Sequence, residues 1–163
     1  MEIAIISDTH LPRGSRALPE GCVARLQAAD LIIHAGDFSR LEILEEVRTF
    51  GRVIGVYGNT DDALLRAALP ETAVVPVSDG HTLAVIHDGG QAHGRLRRLR
   101  ARFPDADAVI FGHSHIPLHE HSPDGFQIFN PGSPTDRRRQ PRHTMGLCHV
   151  QPGLLEFELV NLD

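Results

Sequence analysis

Residues 2–7 read EIAIIS, and the run stops at Asp8-Thr9-His10. An apolar, β-branched segment this short fits a strand covered on both faces better than a helix. The pattern repeats downstream. Residues 19–29 space Val23, Leu26 and Ala29 as a helix does, and residues 30–35 (DLIIHA) form a second buried strand. Ser39 is placed to cap a helix through Phe50, with Leu41, Ile43, Leu44 and Val47 as its apolar stripe and Gly51 as its stop. Residues 52–57 (RVIGVY) are a third strand, and Asp61 and Asp62 open a short helix that Pro70 ends. A β-α-β-α-β-α order requires parallel strands joined by crossover helices.

The second half of the chain is mostly β. Residues 73–77 and 82–87 flank Ser78-Asp79-Gly80, a hairpin signal. Residues 91–103 predict a helix whose arginines face solvent, and residues 108–111 predict another buried strand. Two more strand pairs follow, 118–121 with 126–129 and 144–150 with 155–160. This half is expected to build a second sheet packed on the first, giving a layered α/β sandwich with helices outside. No linker or repeat divides the chain, so residues 1–163 read as one domain.

Composition excludes several classes. The 163 residues carry 16 cationic side chains, all arginine, against 21 acidic ones, for a net charge of −5. An acidic chain is a poor nucleic-acid coat. Two cysteines cannot form a disulfide framework. No apolar run reaches the roughly 20 residues that span a bilayer, and MEIAIISDTH lacks the features of a signal peptide. A cytoplasmic protein without membrane partners is expected.

The polar residues that end the apolar strands carry the chemistry. They are Asp8 and His10, Asp37, Asn59, His87, and the pair His113 and His115. Ligand sites in α/β sheets gather at the carboxyl ends of strands. Each short motif alone is an ordinary turn, but five strand ends delivering Asp, Asn or His to one edge read as a metal site. The donor set suits Mn, Fe, Co, Ni or Zn, and the absence of cysteine argues against a closed structural zinc site. Two divalent ions about 3.5–4 Å apart need an anionic bridge, and Asp37 is the candidate because Gly36 lets its turn approach closely. Asp88 reads either as a turn residue or as a partner of a ligand imidazole. Arg137, Arg138 and Arg139 read as a solvated loop, or as phosphate contacts if their turn lies beside the donors. His34, His81, His93, His119, His121, His143 and His149 fit no ligand pattern and read as surface or structural. Cys22 and Cys148 read as core.

In order and spacing, Asp8-x-His10, Gly36-Asp37, Gly58-Asn59-x-Asp61, His87 and Gly112-His113-x-His115 resemble the calcineurin-like metallophosphoesterases. Asn130-Pro131-Gly132-Ser133 and the compact length point to the small YfcE-type phosphodiesterases. The resemblance implies a four-layer α/β/β/α sandwich with two mixed sheets and a dinuclear centre. One ion, manganese first, would be held by Asp8, His10, Asp37 and His115, and the other by Asp37, Asn59, His87 and His113. The family reaction is in-line attack on a phosphate ester by a metal-bridging hydroxide, with Asp37, Asn59, His87 and His113 as the catalytic set. Thr60 stands where many relatives carry a histidine that assists the leaving group. The expected partner is a small phosphate ester, with nucleic acid only as substrate and a homo-oligomer allowed. The alternatives are a phosphomonoesterase, or a partner-binding scaffold resembling the retromer subunit of this fold. The complete ligand set argues against the scaffold.

Overall fold

A computed structural model describes residues 1–163. The first strand, β1 (Glu2–Ile6), pairs in parallel with β2 (Leu31–His34), which pairs in parallel with β3 (Val53–Gly55). Helices α1 (Glu20–Ala28) and α2 (Leu41–Phe50) make the crossovers, and α3 (Ala63–Ala68) follows β3. The second sheet has the order β4 (Thr72–Pro76), β5 (Thr82–Ile86), β6 (Ala108–Ile110), β8 (Gln127–Asn130), β7 (Leu118–His121). Helix α4 (Arg95–Arg102) lies between β5 and β6 in the chain. The last two strands, β9 (Thr144–Gln151) and β10 (Leu154–Asn161), complete the first sheet in the order β10-β9-β1-β2-β3.

Both sheets are mixed and five-stranded, and they stack face to face. Ile3, Ile5 and Ile33 of the first sheet pack with Leu83, Val85 and Ile110 of the second in one apolar slab. The alternate residues Ala4, Ile6 and Ile32 turn outward onto Cys22 and Leu26 of α1 and Leu44 and Val47 of α2. On the far side, Ala84 and Val109 meet Leu99 of α4 and Phe103. This explains why EIAIIS shows no polar alternation: each face of β1 meets a covered surface. The four-layer α/β/β/α architecture is the expected one. Both cysteines are free and buried, and burial pushes their thiols up to about 12, so they act as small core residues. No helix is long and apolar enough to cross a membrane.

Local expectations needed correction at four places. The 144–160 hairpin joins the first sheet, not the second: β9 pairs antiparallel with β1, Ile3 opposite Cys148. Ser39 does not cap α2; Arg40 precedes the helix in extended conformation, with no side-chain cap. The fourth helix covers only residues 95–102, because Gly90 and Gly94 take positive φ and break the helical pattern before it. Asp61 stays outside α3, and Asp62 alone caps it by accepting the Leu65 N–H at 2.9 Å.

Candidate metal centre

All seven expected donors meet at one edge, on the seam between the sheets. The segments after β1, β2 and β3 bring Asp8, His10, Asp37 and Asn59, and those after β5 and β6 bring His87, His113 and His115. Asp8, His10 and His115 offer atoms that lie within 4.8 Å of one another, as do Asp8, Asp37 and His87. His10 Nε2 stands 3.6 Å from Asp37 Oδ2 and links the two groups. Asn59 Oδ1 lies 3.1 Å from His87 Nε2 and 3.0 Å from His113 Nδ1, which adds the last two donors to the second group. Asp8 and Asp37 therefore both stand between clusters, whereas the spacing singled out Asp37 alone.

The ring nitrogens show that the arrangement fits a cation. His115 Nδ1–H donates to the Asp136 carbonyl. That bond leaves a lone pair on His115 Nε2, which faces His10 Nε2 at 3.1 Å and Asp8 Oδ1 at 3.4 Å. His87 Nδ1–H donates to the Ala35 carbonyl at 2.7 Å, and its Nε2 faces Asp37 Oδ2 at 3.4 Å and Asn59 Oδ1 at 3.1 Å. Each cluster thus brings several acceptors close together, an arrangement that a divalent ion satisfies, and in each one an imidazole is pre-oriented by a backbone carbonyl behind it.

Hydrogen bonds anchor both carboxylates. Asp8 Oδ2 accepts from the Ser7 hydroxyl at 2.6 Å and the His113 N–H at 3.0 Å. Asp37 Oδ1 accepts from the Thr60 N–H at 2.9 Å. Burial pushes the Asp8 carboxyl up to about 6. Burial also acts to raise Asp37, but hydrogen bonds from His87 and Thr60 and the His87 charge outweigh it and hold this carboxyl below the usual range. Burial lowers His10 and His115, while His87, although buried, is pulled up by Asp37 and Asp8.

The loops are shaped for this purpose. Asp8, His10, Asp37, His113 and His115 all have positive φ, a region that costs non-glycine residues free energy and clusters at functional sites. A Cβ on Gly58 would sit 2.1 Å from Asp37 Oδ1, so only glycine lets the Asn59 loop approach that carboxylate.

Several residues that the sequence marks as helix-opening or motif positions turn out to support the donor loops. Buried Asp61 accepts from the backbone N–H groups of Asp37 (3.2 Å), Ser39 (2.7 Å) and Gly58 (2.7 Å), tying the Asp37 loop to the Asn59 loop. The Asn130–Ser133 turn ties the two sheets' loops together. Asn130 Nδ2 donates to the Gly112 carbonyl and Ser133 Oγ to the Asp8 carbonyl. Thr135 Oγ1 donates to the Thr9 carbonyl at 2.6 Å. The signal available was a polar residue ending β8 beside the other strand ends. Asp88 is a turn residue, accepting from the Gly90 N–H at 2.7 Å while the Ala35 carbonyl holds His87. Arg137, Arg138 and Arg139 are exposed, and their loop does lie beside the donors through Asp136. His34 is structural and fully buried: it stacks on Phe38 and takes the Gly36 N–H on Nδ1, while Nε2 meets Thr9 Oγ1.

Residues 1–153 match the calcineurin-like phosphoesterase superfamily domain, and the chain belongs to that superfamily. A relative from Methanocaldococcus jannaschii, named as a probable metallophosphoesterase, is 35% identical over 100% of this chain and 82% of its own length. Among solved structures, Vps29 from Entamoeba histolytica complexed with zinc superposes with a TM-score of 0.77 at 24% identity over the whole of both chains. A structure described as a novel archaeal phosphodiesterase has a TM-score of 0.73 at 20% identity, covering 98% of this chain and 100% of its own. At those identities both structures speak to the fold alone. The family and the clustered Asp and His residues together make this a metallophosphoesterase with candidate ligands for divalent metal.

Proposed function

We propose that this protein is a phosphodiesterase that works with two divalent ions, manganese first among them. Asp8, His10, Asp37 and His115 would hold one ion, and Asp37, Asn59, His87 and His113 the other. The observation that carries this reading is the pair of clustered acceptor sets, in each of which one imidazole, His115 or His87, is oriented from behind by the Asp136 or Ala35 carbonyl. When bound, the ions supply an activated water and positive charge for the phosphoryl oxygens.

The chain's own groups do the rest. Backbone N–H groups and a hydroxyl hold the Asp37 and Asp8 carboxylates in place beside the centre. Asn59 and His113 are exposed, so they form the mouth through which a phosphate ester enters. Thr60 offers no proton at neutral pH to a departing alkoxide. The reading therefore favours esters with good leaving groups, and the archaeal phosphodiesterase of the same fold makes diesters the first class to assay. A small phosphate ester is the proposed partner. A monoesterase, or a scaffold after the manner of Vps29, is the alternative; the complete set of seven donors favours the enzyme.

The test is elemental analysis of the purified protein together with hydrolysis of bis(p-nitrophenyl) phosphate and p-nitrophenyl phosphate under added manganese. Bound metal with faster diester cleavage supports the proposal. Faster monoester cleavage transfers it to the monoesterase, and a metal-free protein inert toward both esters overturns it.

A further inference from the structure

A cleft of about 440 Å³ shares Asn59 and His87 with the donor cluster. Its walls come from the segment after β3, from the end of β5 and from the Glu71–Arg102 ion pair. Arg66 dominates it. The guanidinium donates to the carbonyls of Asp61, Gly58 and Asn59, each at 3.0 Å, and lies over the Tyr57 ring, 4.9 Å from its centroid. Four contacts fix this plane in place, and all its hydrogen-bond partners are backbone carbonyls. A guanidinium fixed by backbone carbonyls over an aromatic ring, on an exposed residue, still offers a face for stacking.

The rest of the cleft narrows what stacks there. Two arginines, Arg66 and Arg102, face two carboxylates, Glu71 and Asp88, so the formal charges cancel and nothing draws in a second phosphate. Only Tyr57 and Ile86 are apolar, so a purely alkyl group gains little. The carboxylates accept hydrogen bonds from amines or hydroxyls. The volume falls within the ordinary range of small-molecule sites.

We propose that this cleft receives the ester substituent of the substrate and selects a planar, uncharged, hydrogen-bonding ring of the nucleobase kind, stacked on Arg66. The inference rests on the phosphoesterase reading of the adjoining centre, but its test does not. Tyr57 is the only tyrosine and there is no tryptophan, so the Tyr57 ring signals report on this cleft alone. The experiment records NMR spectra of protein labelled on the tyrosine ring and loaded with diamagnetic zinc, during titration with adenosine 5′-monophosphate or with ribose 5-phosphate, which lacks the base.

Adenosine monophosphate should shift the Tyr57 signals saturably and ribose 5-phosphate should leave them in place. Arg66→Lys, which keeps the charge and loses the plane, should weaken adenosine monophosphate binding by roughly tenfold, the worth of one stacked base. No shift with adenosine monophosphate, or equal shifts with the two ligands, overturns the proposal. A protein that binds the base here yet cleaves no ester keeps the subsite and overturns only the phosphodiesterase reading.

Discussion

His10 Nε2 lies 3.1 Å from His115 Nε2, with the two rings nearly parallel at 15°. The second nitrogen of His115 is already committed to the Asp136 carbonyl, so this contact brings a lone pair toward another ring nitrogen beside Asp8. A cation between them turns that crowding into attraction. Manganese should therefore raise the unfolding midpoint of chelator-treated protein, by about 2.7 kcal/mol of stability at a hundredfold excess over the dissociation constant. A thermal melt that does not move with manganese would show that these nitrogens do not hold a metal.

Asp37 touches both clusters through His10 and His87. Asp37→Asn keeps the Thr60 hydrogen bond but removes the negative charge. Bound metal should fall, and diester hydrolysis should drop at least about a hundredfold, more than the loss of an outer partner usually costs. Metal content and rate measured on the same preparation check this; wild-type values for both would remove Asp37 from the centre.

Thr60 is exposed, with Oγ1 3.4 Å from His10 Nδ1. Rates should fall steeply from aryl to alkyl diesters in the wild type. Thr60→His should flatten that dependence by raising alkyl rates about a hundredfold, the lower end of general-acid contributions. The measurement is kcat across a series of leaving groups. A wild-type series with no slope contradicts the expectation.

Asp61 holds three backbone N–H groups of two ligand loops with one buried carboxylate. Asp61→Ala strands those donors and should cost about 3 kcal/mol or more, read from urea unfolding. Asp61→Asn retains one acceptor oxygen and should cost less. Equal stability of the alanine variant and the wild type would mean that the loops are held some other way.

His34 is fully buried, and burial, followed by the charge of His87, holds it well below its ordinary value. Above about pH 6.5 neither the folded nor the unfolded chain carries this proton. Below that, the unfolded chain binds a proton that the folded chain refuses, so stability falls by up to about 1.4 kcal/mol per pH unit until the low folded-state value is reached. His34→Gln should be less stable near neutrality but decline more gently in acid. Parallel declines in urea unfolding between about pH 6.5 and 5 would count against it.

What the sequence discloses and what it hides follow different ranges of interaction. EIAIIS, DLIIHA and the donors that end these runs are local patterns; the runs form β1 and β2, and the seven candidate donors gather at one edge. The partner of β9 was not local. Thr144–Gln151 fits either sheet by its own pattern, and only pairing across more than 140 residues sets Ile3 opposite Cys148. The caps failed for a related reason. Ser39 gives its N–H to Asp61, a tertiary partner, and takes φ of 90° instead of a capping conformation. Positive φ at Asp8, Asp37 and His115 is only weakly marked, because Asp and His enter that region more often than other non-glycine residues but still seldom.

The return of β9 to β1 has a consequence for biosynthesis. β1 is made first, yet one of its two edges pairs with residues near 146–149. Until those residues leave the ribosome, Ile3 and Ile5 sit on a strand with a bare, apolar edge, the kind that recruits other chains. Sheet closure must then wait until β9 has been made, and removal of the β9–β10 hairpin would turn a folding delay into a permanent sticky edge. Such a truncated chain should aggregate even though every residue of the candidate centre is still present.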